Sequence, residues 1–361
     1  MQLHIDVNKS VFRGFGSFIP GKEVTNEDFH SYEFYDEYND LLSSEPAVIT
    51  RKFQKITGIQ KRRYAADHLL TSDMGIKASE IAISESGLDK EAIDHIIVAH
   101  NFGDVDFNDC QSVILPSLAA KIKKGLKIRN PKAVAYDLIF GCPGWVQGVI
   151  QAHSFILSGM AKNVLVVGCE MLSRVIDPHD RDSMIFSDGA AACVLSREDS
   201  AISSGILSHS SVTHASDETD YLFCGVSNKP GNEKTKFIKM KGRKIYEYAL
   251  SQVPVAMKEA FDKSGKSIIN LKKIFIHQAN EKMDEAIVQR FYGMYGLEEI
   301  PENIMPMSIH ELGNSSVATV PTLIDLVLRG KIENHQINDG DVVLIASVGA
   351  GMNINAITYQ F

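Results

Sequence analysis

Three side chains in this 361-residue sequence could act together on a thioester: the thiol of Cys142, the imidazole of His277 and the carboxamide of Asn314. A thiolate attacks an acyl carbon. An imidazole and an amide can donate hydrogen bonds to an oxygen that becomes negative as the reaction proceeds. Cys142 lies in the stretch Asp137-Leu-Ile-Phe-Gly-Cys-Pro-Gly144. A β-like run at 133–136 leads into it and a helical pattern at 146–157 leads out, which places the cysteine at a strand-to-helix turn. Gly141 permits unusual backbone angles there, and Pro143 suits a first helical position because its missing N–H has no partner to lose. The following helix turns free N–H groups and its positive dipole end toward the cysteine, so a lowered pKa and partial thiolate character are expected. The same placement also suits a small packing cysteine, and this stretch alone leaves both readings open. A single histidine is commonly a satisfied core residue, and Asn-Ser after Gly is ordinary turn chemistry.

The elements that must position these groups follow in order along the chain. Residues 3–19 alternate like a strand and break at Gly14, Gly16 and Pro20. Residues 23–44 are acidic and aromatic with poor helical period. A basic stretch at 51–63 contains the turn signal Thr57-Gly58-Ile59. Helical spacing is found at 71–86 and a basic helix at 116–126, with a short buried strand at 94–99 between them. The apolar run 163–168 reads as a strand covered on both faces. Residues 187–195 read as a turn into another strand, and the polar stretch 203–233 as a surface excursion. Beyond it come a helix at 242–261 that contains Pro254, a strand at 273–276 ending in His277, and a helix at 281–295. A helix at 315–330 follows Asn314, and strands at 341–347 and 353–361 flank Gly349-Ala350-Gly351. His277 and Asn314 thus precede helices as Cys142 does, where reactive groups of α/β proteins concentrate.

Bulk properties narrow the class. A hydrophobic fraction of 44% and a charged fraction of 23% are ordinary for a globular protein. The net charge of −8 argues against a general nucleic-acid binder. No apolar run has the length of a membrane span, and the N-terminus lacks the pattern of a secretory leader. The five cysteines (Cys110, Cys142, Cys169, Cys193 and Cys224) are scattered without CxxC spacing. That argues against a disulfide framework or a zinc site and for a reducing, cytoplasmic setting.

Five segments, Asp137-Leu-Ile-Phe-Gly-Cys-Pro-Gly144, Asp177-Pro-His-Asp-Arg181, Phe186-Ser-Asp-Gly-Ala190, His277-Gln-Ala-Asn280 and Gly313-Asn-Ser-Ser-Val-Ala-Thr-Val-Pro321, together resemble β-ketoacyl-ACP synthase III, a thiolase-fold condensing enzyme. The resemblance runs from about residue 3 to the C-terminus, with insertions near 29–46, 103–114 and 212–235. It implies an α/β fold of five αβαβα layers, with residues 1–200 carrying the cysteine and 201–361 the histidine and asparagine, assembled as a homodimer. It implies acyl transfer to Cys142, an oxyanion hole made by the backbone N–H groups of Cys142 and Ala350, and decarboxylative condensation with malonyl-ACP aided by His277 and Asn314. Substrate contacts are implied for Arg181, Asn280, Phe53 and Leu115, the last across the dimer. Lys282, Arg243 and Lys241 are implied to dock acyl carrier protein, whose acidity suits a basic patch. Neither a metal nor a cofactor is implied beyond the acyl-CoA or acyl-ACP and malonyl-ACP substrates.

The chain departs from the family pattern at several points. Lys52 occupies the position of a tryptophan that stacks on coenzyme A, leaving Phe53 beside it. Ala350 replaces a glycine, and the insertion before Leu115 is expected to reshape the acyl pocket. These departures fit either fatty-acid initiation or a specialised ketosynthase of dialkylresorcinol or aryl-polyene type with a larger acyl donor. Rivals of other classes are a Cys-His-Asn amidohydrolase and a non-catalytic partner subunit. Several residues read as structural: His310, Cys169, Cys193, and Asp188 with Gly189. Lys121, Lys123 and Lys124 read as a solvated helix face. Lys239 and Lys244 extend the docking patch, and Arg181 either touches substrate phosphate or pairs with Asp177 or Asp180.

Overall fold

The computed structural model of the protein describes residues 9–198, 204–231 and 233–361. The first half runs β1 (Lys9–Phe18), β2 (Lys22–Thr25), α1 (Pro46–Thr57), β3 (Lys61–Tyr64), α2 (Thr71–Ser86), β4 (His95–Ala99), α3 (Leu118–Gly125), β5 (Val134–Leu138), α4 (Gly144–Leu157), β6 (Asn163–Met171) and β7 (Asp188–Glu198). The second half runs β8 (Gly205–Thr213), β9 (Leu222–Gly225), β10 (Phe237–Met240), α5 (Gly242–Lys263), β11 (Leu271–Ile276), α6 (Glu281–Gly293), α7 (Ile309–Leu312), α8 (Thr319–Leu328), β12 (Val342–Gly349) and β13 (Asn353–Gln360). Part of the first expected strand (residues 3–8) and the expected boundary between halves at residue 200 lie outside the described residues.

Two mixed sheets form, in the orders β1-β7-β6-β4-β5 and β11-β12-β13-β8. Helices α4 and α8 lie between them. Trp145, Val146 and Val149 of α4 and Val320, Leu323 and Ile324 of α8 share one core with Ile97 and Val166 of the first sheet and Phe275, Ile345 and Ile357 of the second. A helix clamped between two sheets must be apolar on nearly all faces, as these two are. The outer helices differ. Met74, Ala78 and Ala82 of α2 and Leu118 and Ile122 of α3 pack on the first sheet. Val253, Met257 and Phe261 of α5 and Ile287 and Phe291 of α6 pack on the second. The result is the five-layered αβαβα arrangement of a thiolase-like fold.

One expected assignment is corrected. The stretch 203–233 is not wholly a surface excursion, because β8 is the edge strand of the second sheet, antiparallel to β13. Its serines made it look solvated, yet Ser208 Oγ donates to the Ala260 carbonyl at 2.5 Å and Ser210 Oγ to Glu259 at 2.7 Å, both on α5. Buried hydroxyls that find acceptors are tolerated in a sheet face. Residues 23–44, which the sequence left without a regular element, carry the end of β2, one 3₁₀ turn at Glu27–Phe29 and otherwise irregular chain, whose Phe29 and Phe34 fill a satellite core beside α1. Pro254 is accommodated within α5.

Because Leu323 is fully buried between the sheets, Leu323→Ala should lower the unfolding free energy by about 3 kcal/mol in urea titration. Ile269→Ala, at a site 85% exposed, should change it by no more than about 0.5 kcal/mol.

Candidate active site

Strand β5 ends at Leu138, and α4 begins at Gly144 with Pro143 at its cap position. Cys142 lies in the turn between them, as the sequence predicts. Asp137, the first residue of that motif, is structural. Its carboxylate accepts N–H bonds from Leu118 (2.9 Å) and Ala119 (2.7 Å) at the start of α3 and a bond from His100 Nε2 (2.9 Å). Gly141 has φ of +68°. A Cβ there would lie 2.6 Å from the Ala350 nitrogen, and a Cβ on Gly349 would lie 2.5 Å from the Cys142 nitrogen. Both distances are shorter than a side-chain carbon tolerates, so glycine at each position lets the nucleophile turn abut the loop after β12. The amides of Cys142 and Ala350, one from each half of the chain, are thereby brought side by side.

His277 follows β11. Its backbone N–H donates to the Ala346 carbonyl of β12 at 2.9 Å, three residues before Gly349. The imidazole therefore stands at the same end of the second sheet as the Ala350 amide. The ring is 3% exposed and its Nδ1 has no hydrogen-bond partner. The adjacent Gln278 fixes the loop by donating to the Pro306 carbonyl (2.8 Å) and accepting from the Ser308 N–H (2.9 Å).

Asn314 is held by the segment Ile185-Phe186-Ser187. The Asn314 N–H donates to the Ile185 carbonyl (3.0 Å) and the Ser187 N–H to the Asn314 carbonyl (2.8 Å). Its side-chain Oδ1 accepts the Ser316 N–H at 2.8 Å. With the oxygen so engaged, the Nδ2 group is the part left to act as donor. Ser316 was not singled out in the sequence, where it reads as one more turn serine. Its Oγ lies 3.5 Å from Cys142 Sγ, which links the asparagine loop to the nucleophile.

Burial sets the charge state. Desolvation pushes the Cys142 thiol up to about 11, against a partial lowering by Ser316. It pushes His277 down to about 4. The expectation of a lowered pKa with partial thiolate character is corrected on this point. A helix terminus is worth about 0.3–1 kcal/mol at an exposed site, and the loss of hydration around the half-buried Cys142 opposes the charged form more strongly. At neutral pH Cys142 rests as a thiol and His277 as a neutral imidazole.

Cys142 and Ala350 share a cavity of about 180 Å³ with Asn101, Phe102, Phe223, Cys224 and Ser316 among its walls. A larger cavity of about 560 Å³ is lined by Phe53, Arg181, Asn280 and Arg243, with Lys52 beside them. Strand β10 borders both, through Ile238 and Met240 respectively. Asn280 also caps α6, its side chain accepting the Met283 N–H at 3.1 Å. Leu115 reaches neither cavity in its own chain and is 87% exposed.

Three charge assignments change. Arg181 does not pair with Asp177 or Asp180. Both carboxylates hold the buried Lys239, Asp180 at 3.0 Å, and Arg181 lies 3.9 Å from Asp182 with its side chain largely exposed. Lys239 consequently leaves the surface patch, whereas Lys241, Lys244 and Lys282 remain exposed. Arg243 is exposed as well, within 2.9 Å of Glu247. Lys121 and Lys123 are not merely solvated. Lys121 reaches the buried Asp104 at 2.8 Å, and Lys123 donates to the carbonyls of Asn130 and Ala133. His310 pairs with Glu281 at 2.8 Å. Cys169 and Cys193 are fully buried core residues. Among the described residues there is no cluster of side chains able to hold a metal ion, and no helix is long and apolar enough to cross a membrane.

Known proteins share the sequence pattern and the fold that carry this site. Residues 136–214 match the family described as 3-oxoacyl-[acyl-carrier-protein] synthase III, and residues 261–361 match its C-terminal domain. The β-ketoacyl-[acyl-carrier-protein] synthase III of Ehrlichia ruminantium (strain Welgevonden) is 30% identical over 94% of this chain and 95% of its own length. A Halalkalibacterium halodurans protein, β-ketoacyl-[acyl-carrier-protein] synthase III 1, is 31% identical over 94% of each. The crystal structure of the Aquifex aeolicus VF5 3-oxoacyl-[acyl-carrier-protein] synthase III superposes with a TM-score of 0.79 at 27% identity, covering 98% of this chain and all of that one. With sequence and fold in agreement, the chain belongs to the β-ketoacyl-[acyl-carrier-protein] synthase III family.

Proposed function

We propose that this protein is a condensing acyltransferase that moves an acyl group from a thioester onto Cys142 and joins it to the two-carbon unit of malonyl-ACP. The observation that carries the reading is the pairing of the Cys142 and Ala350 amides across Gly141 and Gly349, at a cavity that also holds the thiol. In the first step the Cys142 sulfur bonds to the acyl carbon and the donor's carbon–sulfur bond breaks. The departing thiolate takes the proton that Cys142 gives up. In the second step malonyl-ACP loses carbon dioxide, and the electron pair of the broken carbon–carbon bond becomes an enolate. Hydrogen bonds from His277 and from Asn314 Nδ2 stabilise its oxygen. The carbanion then attacks the acyl carbon while the two amides hold the tetrahedral oxyanion; as the intermediate collapses the carbon–sulfur bond to Cys142 breaks, the 3-oxoacyl thioester is released, and the Cys142 thiolate takes one proton from solvent to restore the resting thiol. No electron enters or leaves the system, so the steps balance without a cofactor.

Burial suits both halves of this reaction. A neutral His277 adds no positive charge that would hold the malonyl carboxylate in place, and a protonated thiol is shielded from unwanted chemistry before donor arrives. The amidohydrolase and non-catalytic alternatives are set aside, because the matching family is one of condensing enzymes and the nucleophile is present. The five free cysteines suit a reducing cytoplasm.

Assembly as a homodimer is part of the proposal. Strand β5 lies at the edge of the first sheet. Val134, Ile139, Ile114 and Leu115 beside it are between 50% and 87% exposed. An uncovered sheet edge with apolar neighbours is a surface that proteins normally protect. A second copy along β5 would cover it and place Leu115 where the resemblance puts it, against the partner's acyl cavity. The larger cavity, with Lys52, Arg181 and Arg243 around its mouth, suits the phosphate of a pantetheine arm, and acyl carrier protein is the carrier we assign to it.

Intact-mass analysis after incubation with acyl thioesters should show one acyl adduct in the wild type and none in Cys142→Ala. With a thiol pKa of about 11, the loading rate should rise about tenfold per pH unit between about pH 7 and 10. His277, deprotonated throughout that range, should add no break. His277→Ala and Asn314→Ala should each slow malonyl-thioester decarboxylation about 100-fold while changing acyl loading only severalfold. Equal losses in both steps would count against the assigned roles. Lys282→Glu should raise KM for acyl-ACP severalfold at low salt, the difference shrinking as ionic strength rises.

A further inference from the structure

The condensation steps leave one hydrogen-bonded chain beside the nucleophile without a task. Glu170, at the end of β6, is fully buried. Its Oε2 accepts from Asn101 Nδ2 at 2.5 Å, and its Oε1 from the Asn101 backbone N–H at 3.3 Å. Asn101 Oδ1 accepts the Gly141 N–H at 3.1 Å, within the nucleophile turn. Asn101 Nδ2 also lies 3.2 Å from Ser316 Oγ, and Ser316 Oγ lies 3.5 Å from Cys142 Sγ.

Donor and acceptor rules give this chain a direction. An amide oxygen only accepts and an amide nitrogen only donates. Gly141 presents an N–H, so it must face the Asn101 oxygen. Glu170 presents an acceptor, so it must face the nitrogen. The opposite orientation would set oxygen against oxygen and N–H against N–H. The second Nδ2 proton then goes to Ser316 Oγ. A hydroxyl that accepts on one side has its single proton free for the other, and the neighbour there is the Cys142 sulfur.

We propose that Ser316 is a further catalytic residue, donating its hydroxyl proton to the Cys142 sulfur as negative charge develops on it, and that Asn101, held by Glu170, is the positioning residue that aims this hydroxyl. The inference rests on Cys142 being the acyl acceptor. The donor compensates part of the desolvation that opposes thiolate formation, both when Cys142 attacks and when it leaves. A bond to a charged sulfur is stronger than one to the neutral thiol, so it acts on the ionised form.

The test is the rate of iodoacetamide alkylation at Cys142, read by peptide mass spectrometry between pH 7.5 and 9.5, with the exposed Cys224 on the same cavity as internal reference. Ser316 has φ of +54°, so Ser316→Gly removes the hydroxyl at a backbone conformation glycine prefers and keeps the N–H that Asn314 needs. Ser316→Gly and Asn101→Ala should each slow Cys142 alkylation roughly tenfold, with the pH slope retained and Cys224 unaffected. The double variant should be no slower than Ser316→Gly alone, since Asn101 acts through that hydroxyl. Wild-type reactivity in Ser316→Gly would overturn the proposal. So would additive losses in the double variant, which would leave Asn101 holding only Gly141. Alkylation needs no acyl donor or malonyl group, so a failure of the condensing reading would be visible separately, as missing acyl loading with the alkylation differences intact.

Discussion

The contact on which the site depends is the one between two loops with no side chains between them. Gly141 abuts the Ala350 amide and Gly349 abuts the Cys142 amide, each at a distance that a methyl group could not share. One loop follows β5 in the first sheet and the other follows β12 in the second. Neither sheet can shift relative to the other without breaking this close approach of the Cys142 and Ala350 turns. The central helices α4 and α8 supply the rigidity, packing against both sheets at once. The inner layer is therefore apolar on nearly every face, and the outer helices are free to be amphipathic.

Given that geometry, desolvation governs the chemistry more strongly than the helix terminus does. A cysteine at the start of a helix suggests a thiolate, but the same turn is sunk between two halves of the fold, and burial of the sulfur outweighs the dipole. The imidazole is affected by the same cause in the opposite direction, since for histidine the charged form is the protonated one. Two neutral groups result instead of an ion pair. The Ser316 hydroxyl, 3.5 Å from the sulfur, is placed where a donor would act on charge as it forms, and preorganised donors of that kind contribute to rate rather than to ground-state binding.

How much of this was legible in the sequence depended on the kind of signal each element carries. Helix α2 has the bounds the spacing predicts, and β4, β5 and β6 stand where continuous apolar runs put them. The change from strand to helical period put Cys142 at its turn, but the joint reading of Cys142, His277 and Asn314 came from the five segments that resemble the family. Strand β8 was not. Its serines read as solvated chain, and only α5, distant in sequence, provides the acceptors they need. Lys239 failed for a related reason. A lysine amid Lys241, Arg243 and Lys244 looks like part of a basic surface until Asp177 and Asp180 are folded against it. Ser316 carried no pattern of its own, and its meaning depends on where Asn101 and Cys142 point. Long-range pairing of polar groups is the information that a one-dimensional pattern lacks.

That distinction also separates the loops that the two large sheets hold from the segments attached outside them. The paired glycines and the loops of His277 and Asn314 are set by the two sheets. The cavity walls come from segments attached to that frame. Phe223 and Cys224 belong to β9, which pairs with β10, and β10 is pinned to the 175–180 loop by the Ile238 N–H to the Val175 carbonyl (2.9 Å) and by buried Lys239. Phe102 precedes a loop whose base is fixed by Asp104, which accepts from Ser72 and Lys121 and bridges to Val113. Breaking either buried ion pair would strand a charge in a poorly solvated place, so the two walls are held firmly although they lie outside the sheets. Phe102, Phe223 and Cys224 thus line the cavity of Cys142 from segments outside the two large sheets, whereas Cys142 and Ala350 stand on turns that the sheets themselves hold.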